Sequence, residues 1–279
     1  MNRNIGFIGC GKMAQAMIQG MIASEVAAPH QIIVSAKTKE TLQFVENTYK
    51  IRTTLNNKEV AERADFLFLA VEPGLYAEVI NEVKELVNEE TIIITIAAGI
   101  TLDFIENQFG RLMKTVRSMP NTPSLVGEGM SVLSVNSNVT TENLSEIIRL
   151  FEGFGKAEII DEQLMDAIPA VSGSSPAYAY LFIEALADGA VMQGIPRKQA
   201  YKLAAQSLLG AAKMVLETEK HPGELKDDVC TPGGSTIQAV ATLEKEGFRT
   251  SIIAAMESCT QKSKQLSQGD QGDGSCGSN

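Results

Sequence analysis

The chain has 279 residues, 44% of them hydrophobic, enough for a sizeable core in one or two domains. Its 24 Lys and Arg against 34 Asp and Glu leave a net charge of −10, which argues against nucleic acid or an anionic membrane as partner. No apolar run approaches the roughly 18 residues of a membrane span, and the N-terminus lacks a signal peptide's basic region and small-residue cleavage site, so a cytoplasmic location is expected.

Asn4–Ile8 reads as a short buried strand and Gln15–Ile22 as a helix, with Gly9-Cys10-Gly11-Lys12-Met13-Ala14 between them. Strand, G-x-G-x-x-A and helix in this order cradle a dinucleotide pyrophosphate. Gly9 permits the tight turn, Gly11 lets backbone approach the phosphates, and Ala14 lets helix and strand pack closely. Amides of Lys12, Met13 and Ala14 at the helix start face the anion.

Further strands are expected at Ile32–Ser35, Phe66–Val71, Ile92–Ile96, Lys114–Arg117, Met130–Val135 and Ala157–Ile160, with helices such as Tyr76–Val87 and Thr141–Phe151 between them. The strands are continuous apolar runs, as in a parallel sheet covered on both faces. This alternation predicts a doubly wound, Rossmann-like, mostly parallel α/β domain over residues 1–160. After Asp161 the texture changes, and Ala177–Gln193, Arg197–Glu217, Ser235–Glu246 and Thr250–Leu266 read as helices of an all-α domain over 161–268. Ile195-Pro196-Arg197 and Lys220-His221-Pro222-Gly223 read as punctuation. The Ala-rich stretches Ala185–Ala190 and Leu203–Ala212 suit close helix approach, in a bundle core or at a dimer interface. Residues 269–279 form a low-complexity tail unable to build a core.

An acidic residue after the second strand would select NAD. Here Ser35-Ala36-Lys37-Thr38-Lys39 supplies hydroxyls and lysines, which suit a 2′-phosphate; Asn57 or Asn56 adds an amide donor. NADPH is therefore the expected cofactor, with NADH the alternative. Ala70-Val71-Glu72-Pro73-Gly74, Ala97-Ala98-Gly99 and Met119-Pro120-Asn121-Thr122-Pro123 close successive strands, where an open α/β sheet binds its ligand. Each alone is ordinary turn chemistry; together they outline a nicotinamide-lined cleft. Ser172-Gly173-Ser174-Ser175-Pro176 precedes a helix, where a hydroxyl cap explains it equally well. Thr231-Pro232-Gly233-Gly234-Ser235-Thr236 leads directly into another, with free amides suited to a substrate carboxylate. Cys10, Cys230, Cys259 and Cys276 are scattered without a C-x-x-C, and His30 and His221 are the only histidines. Reduced thiols and no metal site are expected.

From residue 2 to about 266 the chain resembles the pyrroline-5-carboxylate reductase family. The specific part is Leu225–Ile237 with Leu243-Glu244 and Gly247-Phe248-Arg249. Arg117–Pro123, Ser172-Gly173-Ser174 and Leu208–Met214 support it. The resemblance implies NAD(P)H-dependent reduction of the cyclic imine 1-pyrroline-5-carboxylate to L-proline. It implies that Thr236 bonds the ring nitrogen as the catalytic residue. Thr231, Gly233 and Gly234 would hold the substrate carboxylate, with Ser235 and Ser174 beside them. Ala70, Val71, Pro73, Ala98, Gly99, Met119, Pro120 and Asn121 would line the cofactor. It further implies a homodimer through the helical domain, assembled in some members into a decamer. Two positions depart from the family pattern: Glu72 where members often carry lysine, and Ser175 where they carry glycine. A β-hydroxy acid dehydrogenase would need a lysine where Ala177-Tyr178-Ala179-Tyr180-Leu181 stands. A reductase of another cyclic imine and a non-catalytic NADP sensor are the remaining rivals.

Overall fold

A computed structural model describes residues 3–269. Two compact units divide it: one holds the chain up to Ser174 together with residues from Cys259 onward, the other Ser175–Ser258.

In the first unit the order is β1 (Ile5–Ile8), α1 (Lys12–Ala23), β2 (Ile32–Ser35), α2 (Lys39–Tyr49), β3 (Arg52–Thr54), α3 (Asn57–Arg63), β4 (Phe66–Leu69) and α4 (Tyr76–Val83). Then follow β5 (Ile92–Thr95), α5 (Leu102–Phe109), β6 (Lys114–Met119), β7 (Gly129–Val135), α6 (Thr141–Glu152) and β8 (Gly155–Ile159). The strands form one eight-stranded sheet in the order β3-β2-β1-β4-β5-β6-β7-β8. Every pairing is parallel except β6 with β7. Parallel strands need a crossover of roughly a dozen residues or more. The Pro120–Glu128 link is too short for one, so β7 returns antiparallel.

Neighbouring residues of one strand enter opposite cores, because strand side chains alternate. Phe7, Phe66, Phe68 and Ile94 join Met17, Ile18 and Phe151 from α1 and α6 on one face. Ile8, Leu67, Leu69 and Ile93 join Val60, Ile80 and Ile105 from α3, α4 and α5 on the other. Phe7 stacks on Phe68 with ring centroids 4.5 Å apart. This doubly covered sheet explains why the strands read as unbroken apolar runs. The exception is β3, a short, polar edge strand that the hydrophobic pattern missed: Arg52 is exposed and both threonines are only half-buried.

The second unit holds α7 (Ser175–Met192), α8 (Arg197–Thr218), α9 (Pro222–Val229), α10 (Ser235–Lys245) and the first half of α11 (Phe248–Gly269). The expected punctuation at Lys220–Gly223 separates α8 from α9, a helix for which the sequence gives no separate expectation, and Pro222 stands in its first turn. Proline is tolerated in a first turn, and His221 Nδ1 accepts from Gly223 N at 3.0 Å to cap that helix. Few side chains here are buried: Ala187 alone on α7, Ala200 and Ala204 on α8. Tyr180, Leu181, Met192, Leu203 and Leu216 are all more than half exposed. Apolar surface of this extent marks a protein interface. Apart from Gly269, the expected tail lies outside the described residues.

Candidate active site

The cofactor residues expected from sequence stand at the carboxyl ends of parallel strands β1, β2, β4, β5 and β6, apart from Asn57, which opens α3. The β1–α1 turn anchors the group. Gly9 has φ +95°, and a Cβ there would lie 2.4 Å from the Ala70 carbonyl oxygen. Its amide donates to Ser35 O at 3.0 Å, and Ala70 N donates to Ile8 O at 2.8 Å, so the turn is bonded to both flanking strands. Gly11 is different: a Cβ there would meet nothing within 4 Å. It caps α1 with extended backbone and no side-chain bond, and the first turn carries no acidic residue.

Helix starts across the chain give that absence meaning. On α2, α3, α5, α6 and α9 the N-cap side chain accepts a backbone amide and an acidic residue sits in the first turn. Both devices satisfy the positive helix end internally. α1 and α10 have neither, and nor does α8, which starts behind Pro196. At α1, exposed amides and open space at Gly11 together fit a pyrophosphate. The intervening Cys10 is buried, which pushes its thiol up to about 12 and keeps it neutral beside that anion site.

A cavity of about 150 Å³ continues from this turn, lined by Gly9, Lys37, Asn57, Val71, Glu78 and Glu82 among others. Asn56 and Asn57 now separate in role. Asn56 is the α3 N-cap, accepting from Lys58 N at 3.0 Å. Asn57 faces the cavity, with Oδ1 accepting from Ser35 Oγ at 2.7 Å and Nδ2 donating to Glu82 Oε2 at 2.7 Å. Ser35 itself is fully buried, so its hydroxyl orients Asn57. Lys12, Lys37 and Pro73 are exposed, whereas Met13 is half-buried and Ala14 packs in the core. Beneath the Val71–Gly74 loop, buried Tyr76 donates to Leu69 O at 2.5 Å, and burial raises its pKa.

Ala98, Gly99 and Met119 meet in a second, small cavity with Arg117, Met165 and Pro169. Pro120 is buried beside them. Asn121 is buried too, and its amide is committed: Nδ2 donates to Ser172 O at 2.9 Å and Oδ1 accepts from Met130 N at 2.8 Å. It ties the Met119–Pro123 loop to the π-helical turn Pro169–Gly173. Ser174 ends that turn, with Oγ 3.4 Å from Cys259 Sγ. Glu82, Arg117, Met165 and Pro169 were not singled out as site residues by sequence. Only Arg117 carried a signal, a charge in the interior of a strand whose other charge, Lys114, stands at its first position.

Within the second unit, Thr231–Gly234 forms a reverse turn closed by Gly234 N donating to Thr231 O at 3.0 Å. Pro232 and Gly233 (φ +71°) hold its central positions, the pairing a type II turn requires. The turn brings the Thr231 hydroxyl over Gly234, where a Cβ would lie 2.4 Å from it. Gly234 then caps α10 without a side-chain bond, leaving the amides of Ser235, Thr236 and Ile237 free of intrahelical partners. Ser235 is exposed and Thr236 half-buried.

A switch-point sheet carrying a phosphate turn and a strand-end cleft defines an NAD(P)-dependent oxidoreductase. Comparisons with known proteins agree. Residues 162–266 match a family model described as pyrroline-5-carboxylate reductase dimerisation, and residues 4–99 match one described as NADP oxidoreductase coenzyme F420-dependent. The pyrroline-5-carboxylate reductase of Escherichia coli (strain K12) is 46% identical over 268 residues, covering 96% of this chain and 100% of that protein. Among solved structures, a pyrroline-5-carboxylate reductase from Coxiella burnetii superposes with TM-score 0.89 at 35% identity, covering 95% of this chain and 99% of that one. The Plasmodium falciparum pyrroline carboxylate reductase, solved with NADP bound, superposes with TM-score 0.86 at 31% identity, covering 95% and 98%. The chain belongs to the pyrroline-5-carboxylate reductase family.

Gly11→Val should leave the thermal midpoint nearly unchanged yet weaken NADP+ binding by about tenfold or more, the equivalent of ~1.4 kcal/mol, when measured by calorimetry. Gly9→Ala should instead lower the midpoint, because strain and clash act on the fold. Cys10 also predicts an alkaline limb. Its folded pKa of about 12 exceeds the reference 9.0, so both states hold the proton below pH 9. Between these values only the unfolded state releases it, and stability should fall by about 1.4 kcal/mol per pH unit from this group. Denaturant titrations of Cys10→Ala should show a shallower decline across that window.

Proposed function

We propose that this chain reduces 1-pyrroline-5-carboxylate to L-proline with NADPH, with NADH as the weaker alternative. The observation that carries this reading is the uncapped Thr231–Thr236 turn and helix start, in a chain that also carries the uncapped phosphate turn at Gly9–Ala14. When bound, the reduced nicotinamide supplies a hydride. Gly9, Gly11 and the first amides of α1 would hold the pyrophosphate. Lys37 and Asn57 would take the 2′-phosphate end, and Ala98, Gly99 and Met119 would line the ring.

Free amides at Ser235–Ile237, the Thr231 hydroxyl and the α10 dipole suit the substrate carboxylate, while the Gly234 amide is already bonded to Thr231 O. Gly233 would shape this subsite and Ser235 would add a hydroxyl. Thr236, one residue further into α10, would orient the imine nitrogen. A protonated cyclic imine is already electrophilic, so the chain need only position it and exclude water. No strong acid is required, which fits a site without histidine. Residues 161–268 would serve as the substrate and dimerisation domain, consistent with the exposed apolar side chains of α7 and α8. A homodimer, its further assembly into a decamer and a cytoplasmic location complete the proposal.

Mixing protein, NADPH and pyrroline-5-carboxylate while following the nicotinamide absorbance tests the reaction, and no oxidation of NADPH would overturn it. Thr236→Ala should reduce turnover far more than it weakens NADPH binding; unchanged turnover would remove Thr236 from the mechanism. Lys37→Ala should raise KM for NADPH more than for NADH; equal effects would place the 2′-phosphate contact elsewhere.

A further inference from the structure

Arg117 is a charged residue within the sheet, 5% exposed, two residues before the end of β6. Its guanidinium forks between two carboxylates, 2.6 Å to Asp166 Oδ1 and 3.4 Å to Glu162 Oε1. The same Glu162 oxygen accepts from Leu102 N at 2.8 Å, the first residue of α5. One cluster therefore ties together three segments that are distant in sequence.

Each of those segments leads into the small cavity at the ends of β5 and β6. Leu102 follows the Ala97–Thr101 loop that carries Ala98 and Gly99. Arg117 stands two residues before Met119, on the same face of the strand. Asp166 precedes the Pro169–Gly173 turn, whose Ser172 carbonyl is held by Asn121 at 2.9 Å. Ala98, Gly99, Arg117, Met119, Met165 and Pro169 line the cavity in common. A lysine could not reproduce this arrangement, since its single ammonium lacks the planar fork that meets two carboxylates at once.

We propose that Arg117 is a positioning residue for hydride transfer: through Asp166 and Glu162 it sets the spacing of the three loops that would line the nicotinamide. This inference rests on the reductase reading above. Recognition of the pyrophosphate by Gly9 and of the 2′-phosphate end by Lys37 and Asn57 would be built on other elements and should not depend on the cluster. Arg117 thus separates ring placement from cofactor affinity.

The test is single-turnover hydride transfer from NADPH to pyrroline-5-carboxylate, in which the rate constant reports positioning and the amplitude reports the fraction of folded, active sites. Arg117→Met should lower the rate constant by about tenfold or more, since small misplacements cost large factors in rate. Arg117→Lys should recover part of that loss, and NADP+ affinity by calorimetry should stay close to wild type in both. Should Arg117→Met fail to fold, Asp166→Asn removes one arm of the fork at a partly exposed carboxylate and should lower the rate constant in the same direction. A loss of amplitude with an unchanged rate constant in the folded variants would overturn the inference and leave Arg117 a stabilising group only. So would a parallel loss of NADP+ affinity. Wild-type protein that transfers no hydride to this imine would instead sink the reductase reading on which the inference stands.

Discussion

The missing side chain at residue 9 is the constraint on which the cofactor half of this protein depends. β1 lies between β2 and β4, where the direction of sheet growth reverses. The chain leaving β1 must turn beneath the Ala70 carbonyl with no room for a Cβ. Because Gly9 bonds to Ser35 and Ala70 bonds to Ile8, the ends of three strands are locked in one register. Ser35, Lys37, Ala70 and Val71 acquire their positions from that lock. The start of α1 is aimed by it as well.

The proposed reaction asks a chain of net charge −10 to attract anions. Helix ends left unsatisfied would reconcile these. On α2, α3, α5, α6 and α9 a cap side chain and a first-turn carboxylate occupy the helix N-terminus; at α1 and α10 glycine stands at the cap and no acid follows. Backbone dipoles then supply a local positive potential that the overall charge does not cancel, since the effect is confined to the first turn. Burial of Cys10 as a neutral thiol serves the same end, for a thiolate at that place would repel phosphate.

Much of this was legible along the chain because it is local. The Gly9–Ala14 spacing, the apolar strands and the turn chemistry of Thr231–Thr236 each depend on residues a few positions apart. What escaped detection was too short to leave a pattern: β3 is three polar residues, and α9 is a single short helix that begins on the Pro222 of the expected punctuation. Asn121 stood out as a polar group in a rigid loop. Its actual bonds, to Ser172 and Met130, run to segments that no local pattern connects to it.

The amino-acid order by itself determined the alternating α/β domain, the helical region after it and the dinucleotide turn, because hydrophobic periodicity and glycine spacing are properties of neighbours; the family was legible only as a resemblance carried by motifs such as Leu225–Ile237. Only the tertiary structure decided that Asn57 rather than Asn56 faces the cavity, that Ser35 supports it from within the core, and that Arg117, Glu162 and Asp166 form one cluster. Those outcomes follow from packing, which brings together side chains far apart in the chain and chooses among donors that the sequence leaves equivalent.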